Sequence, residues 1–172
     1  GSEAAGINTD EAIFKQGVVM QMTLPGAPTI YYGDEAGVCG WTDPDNRRTY
    51  PWGRENLELI EFYREAICIH KQNQVLKTGS YLPLLWEKDL LCYGRFDEED
   101  AILTVVNTSD EPKTITPPVY MLGSEDGTVW ERLIETNREF YNCGRIKSMQ
   151  QGDVIEVTVK PNSSVIYRKL NK

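Results

Sequence analysis

The spacing of apolar residues changes once along this chain, near Gly79, and that change limits the fold more than any other feature. Before it, apolar residues recur at helical spacing in two stretches, 8–23 and 56–74. After it, they alternate in short runs separated by polar turns. The sequence therefore predicts a helical part followed by an all-β part, which we divide into residues 1–78 and 79–172.

The helical part also contains one predicted strand. Asn8 and Glu11 form a capping pair for the first helix, which Pro25 ends. Residues 28–32 (PTIYY) form a continuous apolar run, which is typical of a strand covered on both faces in a parallel sheet. A helix followed by a buried strand is an αβ unit. Such a strand needs parallel neighbours, because its backbone N–H and C=O groups must be paired.

The all-β part reads as an antiparallel sandwich, because short strands follow one another at regular spacing. The predicted strands are residues 81–86, 90–96, 101–107, 113–116, 119–122, 128–131, 153–159 and 163–168. Residues 141–151 have no clear pattern and receive no assignment.

A long stretch rich in Gly, Pro, Asp and Asn, residues 33–53, lies between the predicted strand and the second helix. Irregular loops of this length are usually functional or disordered. Trp41, Tyr50 and Trp52 lie within it, and such large aromatic side chains favour a functional loop.

Two motifs flank and enter this loop. Residues 24–35 read LPGAPTIYYGDE, and residues 43–48 read DPDNRR, followed by PW at 51–52. Together they resemble the stretch around the eighth barrel strand of glycoside hydrolase family 13, the α-amylase family. The second motif is most similar to the neopullulanase and cyclomaltodextrinase group.

The resemblance implies an α+β fold class, with the last αβα segment of a (β/α)8 barrel followed by an antiparallel β-sandwich, called domain C. Residues 1–78 would hold the seventh helix, the eighth strand, the substrate loop and the eighth helix of the barrel. Residues 79–172 would form the sandwich. Active sites of such barrels lie at the carboxyl ends of the strands, where the loop 33–53 begins.

The resemblance further implies that Asp43 and Arg47 hold a sugar ring. Arg47 offers a planar set of donors to hydroxyl groups, and Asp43 can accept from them. Arg48 is expected to pair with Asp45 or Glu35 and to stiffen the loop.

The aromatic residues near the loop have two expected roles. Trp41, Tyr50 and Trp52 are candidates for stacking on sugar faces. Tyr31 and Tyr32 are expected to fill barrel layers or to contact helices.

No residue of this chain is assigned a catalytic role. Asp34 and Glu35 are adjacent carboxylates, but neighbours at a strand end point in different directions, whereas a glycosidase pair must flank one bond. We expect them to form hydrogen bonds within the loop. The resemblance places the three catalytic carboxylates on the fourth, fifth and seventh strands of the barrel. We expect these strands in a longer natural protein, so the isolated chain is predicted to be inactive, whereas its parent acts on α-glucans or maltooligosaccharides.

Composition excludes several classes of partner. A net charge of −8 argues against a nucleic acid as a partner. A membrane-spanning segment is not expected either, because no apolar run approaches the roughly 20 residues that span a bilayer. Four separated cysteines and one histidine, His70, predict no metal site, no disulfide framework and no cofactor. Free thiols are expected, and they favour a cytoplasmic location. His70 is expected at the surface.

Two other functions stay open. The β part could be a non-catalytic carbohydrate-binding module or a structural module, and the scattered positions of Trp86, Tyr93, Tyr120 and Trp130 favour the structural role. Alternatively, the chain is a shortened relative that serves as an interaction protein. For the isolated chain we expect residues 8–32 to self-associate or to pack loosely against the second helix, because their apolar surface lacks barrel neighbours.

Overall fold

A computed structural model of the protein describes residues 10–137 and 140–171. Within these residues, three α-helices precede nine strands. The helices are α1 (Glu11–Thr23), α2 (Leu57–Gln72) and α3 (Val75–Thr78). The strands are β1 (Ser80–Glu87), β2 (Leu90–Phe96), β3 (Ala101–Asn107), β4 (Lys113–Ile115), β5 (Val129–Thr136), β6 (Tyr141–Asn142), β7 (Lys147–Met149), β8 (Val157–Val159) and β9 (Ser163–Leu170).

The two long helices begin at side-chain caps. The Asp10 carboxylate accepts a hydrogen bond from the backbone N–H of Ala12 at 2.9 Å, and Asp10 is the N-cap of α1. The predicted cap, Asn8, lies outside the described residues. The Asn56 side chain caps α2 by accepting from the N–H of Leu59 at 3.0 Å. The second helix therefore begins where the sequence predicted.

The strands form two antiparallel sheets, as the sequence predicted. The large sheet has the order β1-β2-β3-β9-β5-β6, and β7 also pairs with β5. The small sheet consists of β4 and β8. All of these pairings are antiparallel.

Both faces of the large sheet are buried. One face packs against α1 and α2 through a cluster that includes Val19, Phe62, Ile102, Ile134 and Ile166. The other face packs under the small sheet through a cluster that includes Leu103, Leu122, Trp130, Val157 and Val165. The large sheet therefore lies between the helices on one side and the small sheet on the other.

A buried glutamine joins α1 to the sheet. Gln16 Nε2 donates to the carbonyl oxygen of Asn107 at 2.7 Å and to that of Ser163 at 3.1 Å. These carbonyls lie at the end of β3 and the start of β9. The first helix is therefore packed firmly, and the expectation that it packs loosely is wrong for residues 11–23, where Val18, Val19 and Met22 are buried.

The predicted strand at residues 28–32 does not form. No described strand pairs with this segment, whose Thr29 carbonyl instead accepts from the Gln21 side chain. Tyr31 and Tyr32 are exposed at 39% and 48%, and their ring centroids lie 4.9 Å apart. Parallel pairing needs neighbouring backbone, and among the described residues this segment has none.

Two further strand predictions are wrong, and one is too short. Residues 119–122 form a 3-10 helix, because two prolines precede it and Gly123 ends it in a left-handed conformation. The predicted strand 153–159 is limited to Val157–Val159. Strand β5 continues to Thr136, beyond the predicted end at 131.

The extension of β5 was missed because charged residues interrupt its alternation. Arg132 and Glu135 are both buried there, and Arg132 Nη1 lies 2.8 Å from Glu135 Oε2. The unassigned residues 141–151 contain the short strands β6 and β7.

Candidate functional site

The loop 33–53 is held by backbone contacts at both ends. It contains two short 3-10 helices, Asp34–Ala36 and Asp45–Arg47. The N–H of Asn56 donates to the carbonyl of Ala36 at 3.0 Å, which joins the loop to the start of α2. Gly33 has a φ of 90°, and a Cβ there would lie 2.7 Å from the Val38 side chain, so only glycine fits this turn.

Asp43 and Arg47, the two predicted sugar-binding residues, contact each other. Arg47 Nε donates to Asp43 Oδ1 at 2.7 Å. Both side chains are largely exposed, at 62% for Arg47 and 63% for Asp43. Arg47 keeps N–H donors beyond those directed at Asp43. The pair therefore presents charged donor and acceptor atoms to solvent.

A second ion pair closes the loop beside the first. Arg48 donates from Nε and Nη2 to the two carboxylate oxygens of Asp45, at 2.9 Å each. The N–H of Trp41 also donates to Asp45 at 2.9 Å. The Arg48 hydrogen bond and the backbone N–H of Trp41 lower the pKa of Asp45. Of the two expected partners of Arg48, the structure selects Asp45.

The adjacent carboxylates Asp34 and Glu35 have different surroundings. Glu35 accepts from the N–H of Gly33 at 2.9 Å, which is the loop hydrogen bonding that was predicted. Asp34 is buried, and burial raises its pKa. Among the described residues, no donor reaches Asp34 Oδ1.

Aromatic side chains surround the charged pairs. Trp41 and Trp52 are exposed, and the Tyr50 and Trp52 ring centroids lie 4.6 Å apart. The Tyr32 hydroxyl donates to the carbonyl of Arg48 at 3.1 Å. That contact was not predicted from sequence, because it joins two segments that no pattern links.

The remaining candidates lie away from the loop. His70 is only partly exposed, and its Nδ1 lies 2.7 Å from the carbonyl oxygen of Met22, so the predicted surface position is wrong.

The four cysteines are free. In residues 10–137 and 140–171, no group of three or more His, Cys, Asp or Glu side chains is placed to hold a metal ion. No helix in these residues is long and apolar enough to cross a bilayer.

Comparison with known proteins gives a consistent set of relatives. No protein-family model matches the chain. An amylopullulanase of Thermoanaerobacterium saccharolyticum is 35% identical over 150 residues, which is 79% of this chain and 12% of that enzyme. Neopullulanase 2 of Thermoactinomyces vulgaris is 37% identical over 127 residues, 70% of this chain and 21% of the relative. The chain thus spans a small part of the curated relatives that it matches.

Solved structures resemble the chain over most of its length. The native debranching enzyme of Nostoc punctiforme superposes with a TM-score of 0.74 and 26% identity, over 92% of this chain and 31% of that one. An α-amylase of Geobacillus thermoleovorans, solved with acarbose, has a TM-score of 0.81. Its 18% identity shows the fold alone, over 95% of this chain and 34% of that one. These relatives and neighbours are enzymes of the α-amylase family, glycoside hydrolase family 13, and the partial match of this chain to them fits a C-terminal portion of such an enzyme.

Proposed function

We propose that this chain is the C-terminal part of an α-glucan-acting glycoside hydrolase and that it supplies Asp43 and Arg47 to the sugar-binding site. The observation that carries the proposal is the exposed contact between these two side chains, held in a loop that the Asp45–Arg48 ion pair closes.

The chemistry of this loop suits a neutral, hydroxyl-rich ligand. Arg47 and Asp43 provide donors and acceptors at one place, and their mutual pairing limits the net charge that a sugar must meet. The exposed ring of Trp52, which contacts Tyr50 at an interplanar angle of 51°, offers an apolar face for the C–H side of a glucose ring. A site of this composition can orient a sugar without reacting with it.

We propose that the isolated chain does not hydrolyse glucans. Retaining glycosidases need two carboxyl groups about 5–5.5 Å apart on either side of one bond. In the loop, Asp43 and Asp45 are paired with arginines, and Glu35 accepts from the backbone N–H of Gly33. Asp34 is buried. None of these four carboxylates is therefore free to act as a nucleophile facing an acid, and the catalytic groups would come from the rest of the parent enzyme.

The division into a barrel piece, 1–78, and an all-β domain, 79–172, belongs to the same proposal. Its support is that the last described α-helix ends at Thr78 and the first described strand begins at Ser80. We favour a structural role for the β part over a dedicated binding module, because α1 and α2 pack on the large sheet and because Tyr93 and Trp130 are buried.

Titration of the isotope-labelled chain with maltotriose, followed by NMR, tests the proposed sugar site. We expect saturable shifts at Asp43, Arg47 and Trp52. The variants Asp43→Asn and Arg47→Ala should each lower the affinity about tenfold, which corresponds to the loss of one charge-assisted hydrogen bond.

The matched control is Arg64→Ala, which removes another exposed arginine paired with a nearby acid, Glu61. It should leave maltotriose binding unchanged. Equal losses in Arg64→Ala and Arg47→Ala, or no shift in the loop at saturating sugar, would disprove the site. Release of glucose or maltose from pullulan by the wild-type chain, abolished by a substitution in the loop, would disprove the proposed inactivity.

A further inference from the structure

A groove of about 600 Å³ lies between the end of α1 and the hairpin formed by β1 and β2. Met20 and Leu24 line it on the side of α1. Tyr81, Pro83 and Trp86 line it on the side of β1. We call this space the hairpin groove. It is separate in sequence from the loop 33–53, because no residue of that loop lines it.

A β-bulge brings the three β1 residues to one face of the sheet. The pairing register between β1 and β2 shifts between Pro83 and Leu85, so that Leu84 is the extra residue. Without this shift, Tyr81 and Trp86 would point to opposite faces, because side chains alternate along a strand. With it, both lie on the face of the sheet on which α1 packs, at the edge that α1 does not cover. Trp86 is 84% exposed there.

Polar side chains occur at one end of the hairpin groove. Glu87 and Asp89 lie at the hairpin turn and line the groove together with Thr108. The turn is held in place, because the N–H of Thr108 donates to the carbonyl of Asp89 at 2.9 Å. None of the described residues that line the groove is cationic. The groove therefore combines aromatic surface with hydrogen-bond acceptors and has no group that would attract an anion.

We propose that the hairpin groove binds an α-glucan chain, as a second sugar site apart from the loop 33–53. The indole of Trp86 and the ring of Tyr81 stack on the apolar faces of glucose units. The carboxylates of Glu87 and Asp89 accept hydrogen bonds from sugar hydroxyls. Concave sites with mostly apolar walls and a few polar groups are typical for small ligands. The choice of an α-glucan as the ligand rests on the proposed function, whereas the site itself does not.

The experiment is a titration of the full isotope-labelled chain with maltotetraose, followed by NMR. We expect saturable shifts of the Trp86 indole N–H and of the backbone at Tyr81 and Glu87. The variant Trp86→Ala should lower the affinity of the groove about tenfold, because it removes the main stacking surface. The control Tyr120→Ala removes another exposed aromatic ring, which does not line the groove, and should change nothing.

The two proposed sugar sites are distinguished by the double variant Asp43→Asn/Arg47→Ala. It should abolish shifts in the loop 33–53 and leave those at Trp86 in place. Because the Trp86 side chain is exposed, its truncation removes little packing, and an unchanged spectrum elsewhere in Trp86→Ala will verify the fold.

Three results would overturn the proposal. The first is the absence of any shift at Trp86 with maltotetraose at millimolar concentration. The second is an equal response to cellotetraose, which would show that the groove does not select α-linked glucose. The third is a shift at Trp86 that follows protein dilution without sugar, because the groove would then be a contact between two copies of the chain.

Discussion

Arg95 Nη1 donates a hydrogen bond to the carbonyl oxygen of Thr23 at 3.0 Å, which joins strand β2 to the last turn of α1. Nη2 of the same side chain donates to the carbonyl of Gly79 at 2.9 Å, and Arg95 is only 2% exposed. The Thr23 hydroxyl lies 2.7 Å from the hydroxyl of Tyr93 on the same strand. One buried arginine therefore connects the helical part, the start of β1 and the large sheet.

The variant Arg95→Met should lower the free energy of unfolding by about 2–3 kcal/mol, because the Thr23 and Gly79 carbonyls lose their donor inside the protein. Urea denaturation followed by circular dichroism will measure the change. As a control, Arg64→Met removes an exposed arginine and should change the free energy by less than about 0.5 kcal/mol. Similar losses for the two variants would show that burial of Arg95 contributes nothing.

Asp34 should make stability depend on pH. Burial raises its pKa, so the folded state holds the proton more tightly than the unfolded state. Its contribution is therefore most favourable below the ordinary value of 3.8 and is lost as the pH rises through the raised value of the folded state. The variant Asp34→Asn cannot ionise.

We expect Asp34→Asn to be more stable than the wild type at neutral pH and equal to it at a pH below 3.8. Urea unfolding at a series of pH values will show whether the two curves converge. A constant difference between the two proteins at all pH values would contradict the assignment of this titration to Asp34.

Cys92 should be protected from alkylation in the folded protein. It is fully buried, and burial raises the pKa of its thiol to about 12. Because the thiolate is the reactive species, iodoacetamide at pH 8 should modify the partly exposed Cys39 and Cys68 first. Peptide mass spectrometry will locate the labels. Modification of Cys92 at the rate of Cys68 without denaturant would contradict the packing of β2.

Cys143 should react slowly for two reasons. Partial burial, followed by the nearby carboxylate of Glu65, raises the pKa of its thiol. The variant Glu65→Gln should speed its alkylation, because the carboxylate that opposes the thiolate is removed. The rate at Cys68, measured in the same samples, is the internal control. An unchanged rate at Cys143 would assign its slow reaction to burial alone.

Four exposed apolar side chains, Ile13, Tyr31, Tyr32 and Leu57, should promote self-association. Ile13 belongs to α1, Leu57 is the first residue of α2, and the two tyrosines lie between these helices in sequence, and exposed apolar surface drives association. The double variant Ile13→Glu/Leu57→Glu should shift the chain towards monomer in light scattering after gel filtration. Met149→Glu places a charge at another exposed apolar residue, on β7, and is the control. A wild-type chain that stays monomeric at all concentrations would contradict this prediction.

Local patterns predicted the elements whose partners are contained in the chain. The strands β2 and β3 have the predicted bounds, because alternation and polar turns determine both strand direction and strand ends. The start of α2 was predicted because Asn56 supplies its own cap. The high content of Gly, Pro, Asp and Asn predicted the loop 33–53, whereas the sequence left Asp45 and Glu35 as two possible partners of Arg48, and only the structure selected Asp45.

Other features depended on groups that are distant in sequence. The segment 28–32 has the composition of a buried strand, but strand formation requires neighbouring backbone, which the described residues do not supply. Arg95, Gln16 and the Arg132–Glu135 pair are polar residues inside the fold, and an apolar pattern places such residues at the surface. Asp34 and Glu35 are adjacent, yet one is buried and the other bonds to the loop backbone.

The sequence by itself therefore determined the order of helices before strands, most of the strands and the resemblance to the α-amylase family, because these depend on periodicity and on short motifs. The tertiary structure alone decided which carbonyls Arg95 and Gln16 bind, how β1 turns Tyr81 and Trp86 to one face, and what surrounds Asp34. The physical reason is that hydrogen bonding and desolvation depend on neighbours in space, and those neighbours lie as many as 147 residues apart along the chain.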